Sequence, residues 1–156
     1  METINIKQLN KTEAHLVINL FNQYRIFYKQ DSNIELATKF IQARLDNNES
    51  IIFVAFIKED EKLIPIGFTQ LYPLYSSVSA MKNWILNDLY VEQSHRKKGI
   101  GEKLIKVAMN FAKENNAKIV QLETMKDNYT AQKLYETIGF KKHDPHQNSI
   151  VYQIEV

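Results

Sequence analysis

Cysteine is absent from this 156-residue chain. Its absence excludes disulfide bonds, thiolate metal sites and cysteine nucleophiles together. No apolar run approaches the roughly 20 residues that a membrane-spanning helix requires. The first residues also lack the charged and apolar pattern of a secretory leader. The sequence therefore predicts a cytoplasmic protein that has no membrane partner.

The chain also has little net charge, +2 at pH 7, with 44% hydrophobic and 24% charged residues. These fractions are typical of a soluble globular protein. So small a charge does not indicate nucleic-acid binding. We therefore predict no nucleic-acid partner. The four histidines do not form a cluster with metal-ligand spacing, so we also predict no bound metal. At this length we expect one domain, residues 1–156.

Apolar periodicity predicts the order β-α-α-β-β-β-α-β-α-β-β, a mixed α/β sheet in one layered domain. The first strand is Ile4 to Leu9, Thr12 caps the first helix, and a Ser32–Glu35 capping box opens the second. The later elements, in chain order, are the strands "SIIFVAFIK", "LIPIGFTQLYPLY" and "MKNWILNDLYV", a helix over 102–115, the strand "KIVQLET", a helix over 128–138, and the strands "FKKHD" and "SIVYQIEV".

Glycine is scarce too, yet two of the four glycines, Gly99 and Gly101, open the helix over 102–115. Glycine destabilises a helix by roughly 1 kcal/mol relative to alanine, but it lets the backbone approach a ligand closely. The first N–H groups of a helix bind anions, and Arg96, Lys97 and Lys98 add positive charge there. A P-loop would need Gly-Lys-Ser/Thr, and a dinucleotide fingerprint would need a third glycine at Leu104. This segment therefore predicts a phosphate site of another kind.

Two segments resemble the GNAT family of N-acetyltransferases. "LNDLYVEQSHRKKGIGEKLI" is similar to the strand and R/Q-x-x-G-x-G/A turn that hold acetyl-coenzyme A (acetyl-CoA) in that family, and "DNYTAQKLYETIGF" resembles its N-x-x-A-x-x-x-Y-x-x-x-G-F block. Within the family, the first segment is nearest to the diamine and polyamine acetyltransferases. The resemblance implies the acyl-CoA N-acyltransferase fold, a mixed, mostly antiparallel sheet flanked by helices.

The resemblance also implies where acetyl-CoA binds. Backbone groups of Leu89, Tyr90 and Val91 would pair with the pantetheine arm as an added strand does. Asn128 would reach the same arm. The pyrophosphate would lie on the backbone of the turn formed by Arg96, Lys97, Lys98, Gly99, Ile100, Gly101 and Glu102.

The catalytic residues are expected to be Tyr135 and Asp88. The resemblance places Tyr135 near the thioester sulfur, where a tyrosine can protonate the departing thiolate. Diamine acetyltransferases carry Glu where this chain has Asn87, which cannot act as a base. Asp88 would point to the opposite face unless a bulge intervenes. Glu123 or an ordered water are the other candidates for the base.

The sequence gives little information about the molecule that accepts the acetyl group. Tyr72, Tyr75 and Asp88 favour a cationic amine, so the leading prediction is a small amine or diamine. A protein lysine or N-terminus comes second and an aminoglycoside third. The resemblance also allows a homodimer. The alternative without catalysis is a coenzyme A-binding sensor on the same fold.

Overall fold

The computed structural model describes residues 2–142, which form five strands and four α-helices. The strands lie side by side in chain order: β1 (Asn5–Gln8), β2 (Ile51–Glu59), β3 (Lys62–Ser76), β4 (Met81–Val91) and β5 (Val120–Gln121). The helices are α1 (Ile18–Phe27), α2 (Ile34–Asp46), α3 (Ile100–Glu114) and α4 (Tyr129–Ile138). Strands β1 to β4 pair antiparallel, and β5 pairs parallel with β4. The predicted fold class, a mixed and mostly antiparallel sheet with helices, is confirmed.

Helices cover both faces of the sheet. Successive side chains of a strand point to opposite faces, so one strand can contact helices on both sides. On one face, Ile52 and Val54 of β2 belong to a buried cluster with residues of α1 and α2. On the other face, Phe53 contacts the ring of Phe111 in α3 at 5.8 Å between centroids. This two-sided burial explains why "SIIFVAFIK" is nearly all apolar.

The two predicted caps at the first helices are wrong. The N–H and hydroxyl of Thr12 both donate to Oδ1 of Asn10, at 2.9 and 2.6 Å, and so close a turn. A short 3₁₀ segment, Ala14–Leu16, then precedes α1. Helix α2 is capped by Asn33, whose Oδ1 accepts from the N–H of Leu36 at 3.0 Å. Ser32 instead accepts a hydrogen bond from the side chain of Asn22.

Strand β5 is shorter than the predicted strand over 118–124. Only Val120 and Gln121 pair with β4, opposite Trp84 and Ile85. Ahead of them, the N–H groups of Lys118 and Ile119 donate to Oδ1 of Asn83. Beyond Ile85, β4 pairs only with β3 in the described part of the chain.

The chain divides into two compact units, one up to Glu123 and one from Thr124 onward. The single domain over 1–156 stays a prediction. The last two predicted strands, over 140–144 and 149–156, fall largely outside the described residues. Within residues 2–142 no helix is long and apolar enough to cross a membrane.

Candidate active site

A β-bulge at Asn87 decides where the candidate catalytic carboxylate lies. Leu86 pairs with Leu71 of β3 and Asp88 pairs with Gln70 of β3. Asn87 is therefore an extra residue of β4 that has no opposite residue in β3. The bulge reverses the alternation of β4 from this point. Asp88 therefore lies beside Gln70 and interacts with Tyr24 of α1, instead of facing α3. This is the bulge that the sequence required if Asp88 was to reach the acceptor side.

Asp88 is buried to 2% exposure and is held by neighbouring amides. Nε2 of Gln70 donates to Oδ2 at 2.5 Å, and Nδ2 of Asn87 donates to Oδ1 at 2.8 Å. Burial raises the pKa of Asp88, and the hydrogen bonds from Asn87, Gln70 and Tyr24 oppose that rise without cancelling it. A buried carboxyl with a raised pKa can take up a proton closer to neutral pH than an exposed one.

A cavity of about 350 Å³ opens beside Asp88 between the sheet and the first two helices. We call it the aromatic pocket. Its apolar and aromatic walls are Phe21, Tyr24, Leu36, Phe40 and Tyr72, and its polar lining residues are Arg25, Asn87 and Asp88. Its volume lies at the lower end of the roughly 300–1,000 Å³ range of small-molecule sites.

Two tyrosine hydroxyls of the aromatic pocket stay protonated. Burial is the largest cause that raises the pKa of Tyr24 and of Tyr72, and the charge of Asp88 adds to it. The hydroxyl of Tyr24 also lies 3.5 Å from the carbonyl of Asn87. The pocket therefore offers phenol groups beside one carboxylate.

A second cavity, of about 130 Å³, lies between β4 and β5, and we call it the strand gap. It is lined by Ile85, Leu86, Asn87, Gln121 and Glu123. Asn87 thus lines both the strand gap and the aromatic pocket. Glu123, an alternative base, lies on the gap side.

Within residues 2–142, the edge of β4 that faces away from β3 is unpaired beyond Ile85, next to the strand gap. The N–H of Glu92 donates to the carbonyl of Ile66 in β3. By the alternation of an antiparallel pair, the backbone N–H and C=O groups of Tyr90 and Asp88 also point toward β3. By alternation, Leu89 and Val91 direct their backbone groups to the other side. The predicted pairing of these three residues, Leu89, Tyr90 and Val91, with a pantetheine arm stays a prediction.

The glycine turn has the backbone of an anion site. Gly99 has φ 77°, in the left-handed region, and no side chain caps the helix that starts at Ile100. Left-handed and then helical residues in succession aim their N–H groups at one point. Lys97 is also left-handed, with φ 63°, and a Cβ at Gly99 would meet no atom within 4 Å. The first N–H groups of α3, including those of Gly101 and Glu102, have no intrahelical acceptor.

Of the three basic residues in the turn, Arg96 has a structural contact. Its Nε donates to the carbonyl of Val91 at 2.8 Å, and its guanidinium lies over the rings of Phe27 and Tyr90. Lys97 and Lys98 are exposed. Arg96 thus fixes the turn against the end of β4, and the two lysines supply the exposed charge.

Asn128 and Tyr135 belong to the second unit. Oδ1 of Asn128 accepts from the N–H of Ala131 at 3.2 Å and so caps α4. Tyr135 is half-buried in α4, with its ring centroid 6.1 Å from that of Phe140. Gly139, with φ 117°, ends the helix as predicted. The cofactor role of Asn128 and the catalytic role of Tyr135 stay predictions.

Comparison with known proteins identifies the family. Residues 15–140 match the model of the acetyltransferase (GNAT) family. The chain belongs to the GNAT family. This GNAT protein is 44% identical to the uncharacterised N-acetyltransferase YhfO of Bacillus subtilis, over 89% of this chain and 91% of that protein. It is therefore an acetyltransferase enzyme.

Solved structures agree with the fold of this GNAT chain. The crystal structure of a probable acetyltransferase is 36% identical, with a TM-score of 0.85 over 97% of this chain and 99% of its own. An aminoglycoside N-acetyltransferase crystallised with coenzyme A has a TM-score of 0.79 over 100% of this chain and 97% of its own. At 19% identity, that second likeness shows the fold alone.

Several residues of the aromatic pocket were not predicted as functional. Phe21, Phe40 and Arg25 carry no functional signal in the sequence, and neither does Gln70, which contacts Asp88 behind the pocket wall. Leu36 is 48% exposed and Phe40 is 37% exposed, and both line the pocket. Tyr75, expected near the acceptor, is 71% exposed and does not line the pocket. No group of His, Asp or Glu within residues 2–142 could hold a metal ion.

Proposed function

We propose that this acetyltransferase moves the acetyl group of acetyl-CoA to a primary amine by direct attack of the amine on the thioester. The observation that carries the proposal is the position of Asn87, which lines both cavities beside the buried Asp88. One cavity suits an amine and the other adjoins an open strand edge. The two reactants would therefore meet next to a carboxyl group.

The residues present fit acetyl-CoA as the co-substrate. The uncapped start of α3, with left-handed Gly99, would hold the pyrophosphate, and Lys97 and Lys98 would complement its charge. The outward backbone groups of Leu89 and the N–H of Val91 would hold the pantetheine arm, since the carbonyl of Val91 accepts from Arg96. Coenzyme A in the structure of the aminoglycoside N-acetyltransferase supports the same use of the fold here.

Acetyl-CoA, when bound, supplies an activated acetyl thioester. The amine must first lose a proton, which for a lysine-like amine of pKa about 10.4 costs roughly 4.6 kcal/mol at neutral pH. We propose that Asp88 accepts this proton from the amine, with Glu123 or an ordered water as the alternative bases. Asn87 and Gln70 keep the Asp88 carboxylate oriented. Tyr135 donates a proton to the departing sulfur.

The acceptor that we propose is a small molecule. The volume of about 350 Å³ and the enclosing walls of Phe21, Phe40 and Tyr72 suit a compact amine better than a folded protein surface. A diamine, as in the branch that the sequence resembles, and a lysine-like amine both belong to this class. Cytoplasmic location and a homodimer stay predictions.

Turnover tests the proposal directly. The full chain is incubated with acetyl-CoA and a panel of small amines, diamines, a lysine peptide and an aminoglycoside. Free thiol and N-acetylated product are then measured together. Equal amounts of both for a small amine support the proposal. Acetylation of the peptide alone would favour a protein acetyltransferase, and tight coenzyme A binding with no product would favour a sensor.

A further inference from the structure

We infer that the acceptor is a zwitterion with an apolar side chain, a hydrophobic α-amino acid, whose amine binds beside Asp88 and whose carboxylate binds Arg25. This inference rests on the proposed function and narrows its acceptor class. It follows from the charges, walls and size of the aromatic pocket.

Arg25 gives the pocket a positive charge that has no ion-pair partner among the described residues. It is half-buried in α1 and lines the pocket. Its Nη1 donates a long hydrogen bond, 3.4 Å, to the carbonyl of Asp31. By contrast, nearby Arg44 is paired with Glu49 at 2.6 Å. A guanidinium fork in this position suits a carboxylate.

The loop that follows α1 is fixed, so that Arg25 is presented in a defined place. The side chain of Asn22 donates to Oγ of Ser32 at 3.0 Å and accepts from the N–H of Asn33 at 2.9 Å. Asn22 is itself buried to 3% exposure. These bonds tie the middle of α1 to the residues just before α2. Arg25 therefore lies on a helix whose position beside the pocket is fixed by hydrogen bonds.

The remaining walls suit an apolar or aromatic side chain. The rings of Phe21 and Phe40 stack at 5.5 Å with an angle of 12° between their planes, and Leu36 lies on the same side of the pocket as Phe40, both being on α2. Leu36 and Phe40 are large apolar residues left exposed, 48% and 37%. A hydrophobic ligand side chain would cover them.

The same charges disfavour a diamine. Asp88 can neutralise one ammonium, but Arg25 would repel a second one in a pocket of this size. The pocket holds one acidic and one basic side chain, which matches an amino acid and mismatches a dication. Aromatic faces and a single carboxylate would still bind the ammonium group itself.

The reaction balances without another reactant. The nitrogen of the amino acid forms a bond to the acetyl carbon while the carbon–sulfur bond of acetyl-CoA breaks. The ammonium group loses two protons in total: one ends on the sulfur of coenzyme A and the other passes to solvent. The products are an N-acetyl amino acid and coenzyme A.

The test compares phenylalanine with phenethylamine, which lacks the carboxylate, and with cadaverine, a diamine. Acetylation by the full chain is measured for the wild type, Arg25→Gln and Arg25→Lys. Lys39→Gln, an exposed cation on α2 already paired with Glu35, is the control. Calorimetric titration of phenylalanine into each variant, without acetyl-CoA, gives a second measure that does not depend on turnover.

We expect the wild type to prefer phenylalanine. Arg25→Gln should lower kcat/KM and the affinity for phenylalanine by roughly 10- to 100-fold, as for the loss of a hydrogen bond to a charged group. Its kcat/KM for phenethylamine should change by no more than about twofold, and Arg25→Lys should recover part of the loss. The control should match the wild type.

Three results would overturn the inference. One is a wild-type preference for cadaverine or phenethylamine, which would leave the proposed function intact. Another is an equal loss for all amines in Arg25→Gln. The third is phenylalanine binding that Arg25→Gln does not weaken. Absence of product from every amine would instead contradict the proposed function, and the titration would then decide whether the pocket binds an amino acid.

Discussion

Gln70 and Asp88 form a buried amide–carboxylate pair, with 2.5 Å between Nε2 and Oδ2. Gln70 is fully buried, and its Oε1 has no hydrogen-bond partner in the described part of the chain. Burying polar groups that are incompletely paired costs free energy. The pair lies next to the aromatic pocket, which Asp88 lines. We therefore assign Gln70 the task of orienting Asp88.

Replacing Gln70 should shift the pH dependence of the reaction. The hydrogen bond from Gln70 lowers the pKa of Asp88, so Gln70→Met should raise that pKa further. If Asp88 is the base, the acid limb of the kcat/KM profile then moves to higher pH. The profile is measured beside that of Gln8→Met, an exposed residue of β1. An acid limb identical to that of the wild type would remove Gln70 from this role.

Asp88→Asn should make the protein more stable and less active. Burial raises the pKa of Asp88 in the folded state above the ordinary 3.8. The contribution of Asp88 to the free energy of unfolding is therefore fully present below pH 3.8, and it is lost as the pH rises through the folded-state pKa. At neutral pH the buried carboxylate is therefore a cost. Its removal should raise Tm by roughly 2–4 °C for each kcal/mol recovered.

The same variant should lower kcat/KM for the amine by about 10²–10⁴-fold, the usual contribution of a general base. Its affinity for acetyl-CoA should not change. Thermal melting at several pH values and steady-state kinetics check the two halves separately. Wild-type kinetics in a stabilised Asp88→Asn variant would show that the carboxylate is structural, leaving Glu123 or water as the base.

Gly99→Ala tests the pyrophosphate site. A left-handed conformation costs an L-residue roughly 1–2 kcal/mol relative to glycine, and the new methyl group would occupy the open side of the turn. We expect a modest fall in Tm and a weaker Kd for coenzyme A. Asn48→Ala, at another left-handed position with φ 52°, carries a similar strain far along the chain from the turn. Equal coenzyme A affinity in both variants would place the site elsewhere.

Tyr135→Phe tests the general acid. The ring and its contact with Phe140 are retained, but the hydroxyl is lost. We expect kcat to fall by about 10²–10⁴-fold with little change in acetyl-CoA affinity. Single-turnover acetyl transfer measures the step, with thermal melting to exclude misfolding. A wild-type rate in that experiment would take Tyr135 out of the chemistry.

Much of the fold could be predicted from the sequence, because burial and periodicity are local signals. The run around Val54 indicates a strand covered on both faces, and the Gly99–Gly101 pair indicates where α3 begins. The helix caps were less predictable. Ser32 and Asn33 can both cap a helix, and the choice depends on Asn22, eleven residues before Asn33 along the chain.

The candidate site was predictable only in part. Asp88 and the glycine turn carry a sequence signal, but the bulge that turns Asp88 toward α1 depends on pairing between β3 and β4. Arg25 and Phe40 carry none, since an arginine on a helix is usually solvated and an apolar stripe usually packs in the core. The roles that we propose for them follow from the cavity that α1, α2, β3 and β4 enclose.

The central claim is that the acceptor amine occupies the aromatic pocket, and filling that pocket tests it most directly. Leu36→Trp enlarges a half-exposed wall residue, whereas Leu63→Trp does the same at an exposed position of β3 that does not line the pocket.

The measurement is KM for the amine together with Kd for acetyl-CoA in both variants. We predict that Leu36→Trp raises KM by about tenfold or more, since overfilling a packed site costs on the order of 1–3 kcal/mol. Its Kd should stay at the wild-type value, and Leu63→Trp should change neither constant. An unchanged KM in a folded Leu36→Trp variant would contradict the account, because the amine would then bind elsewhere.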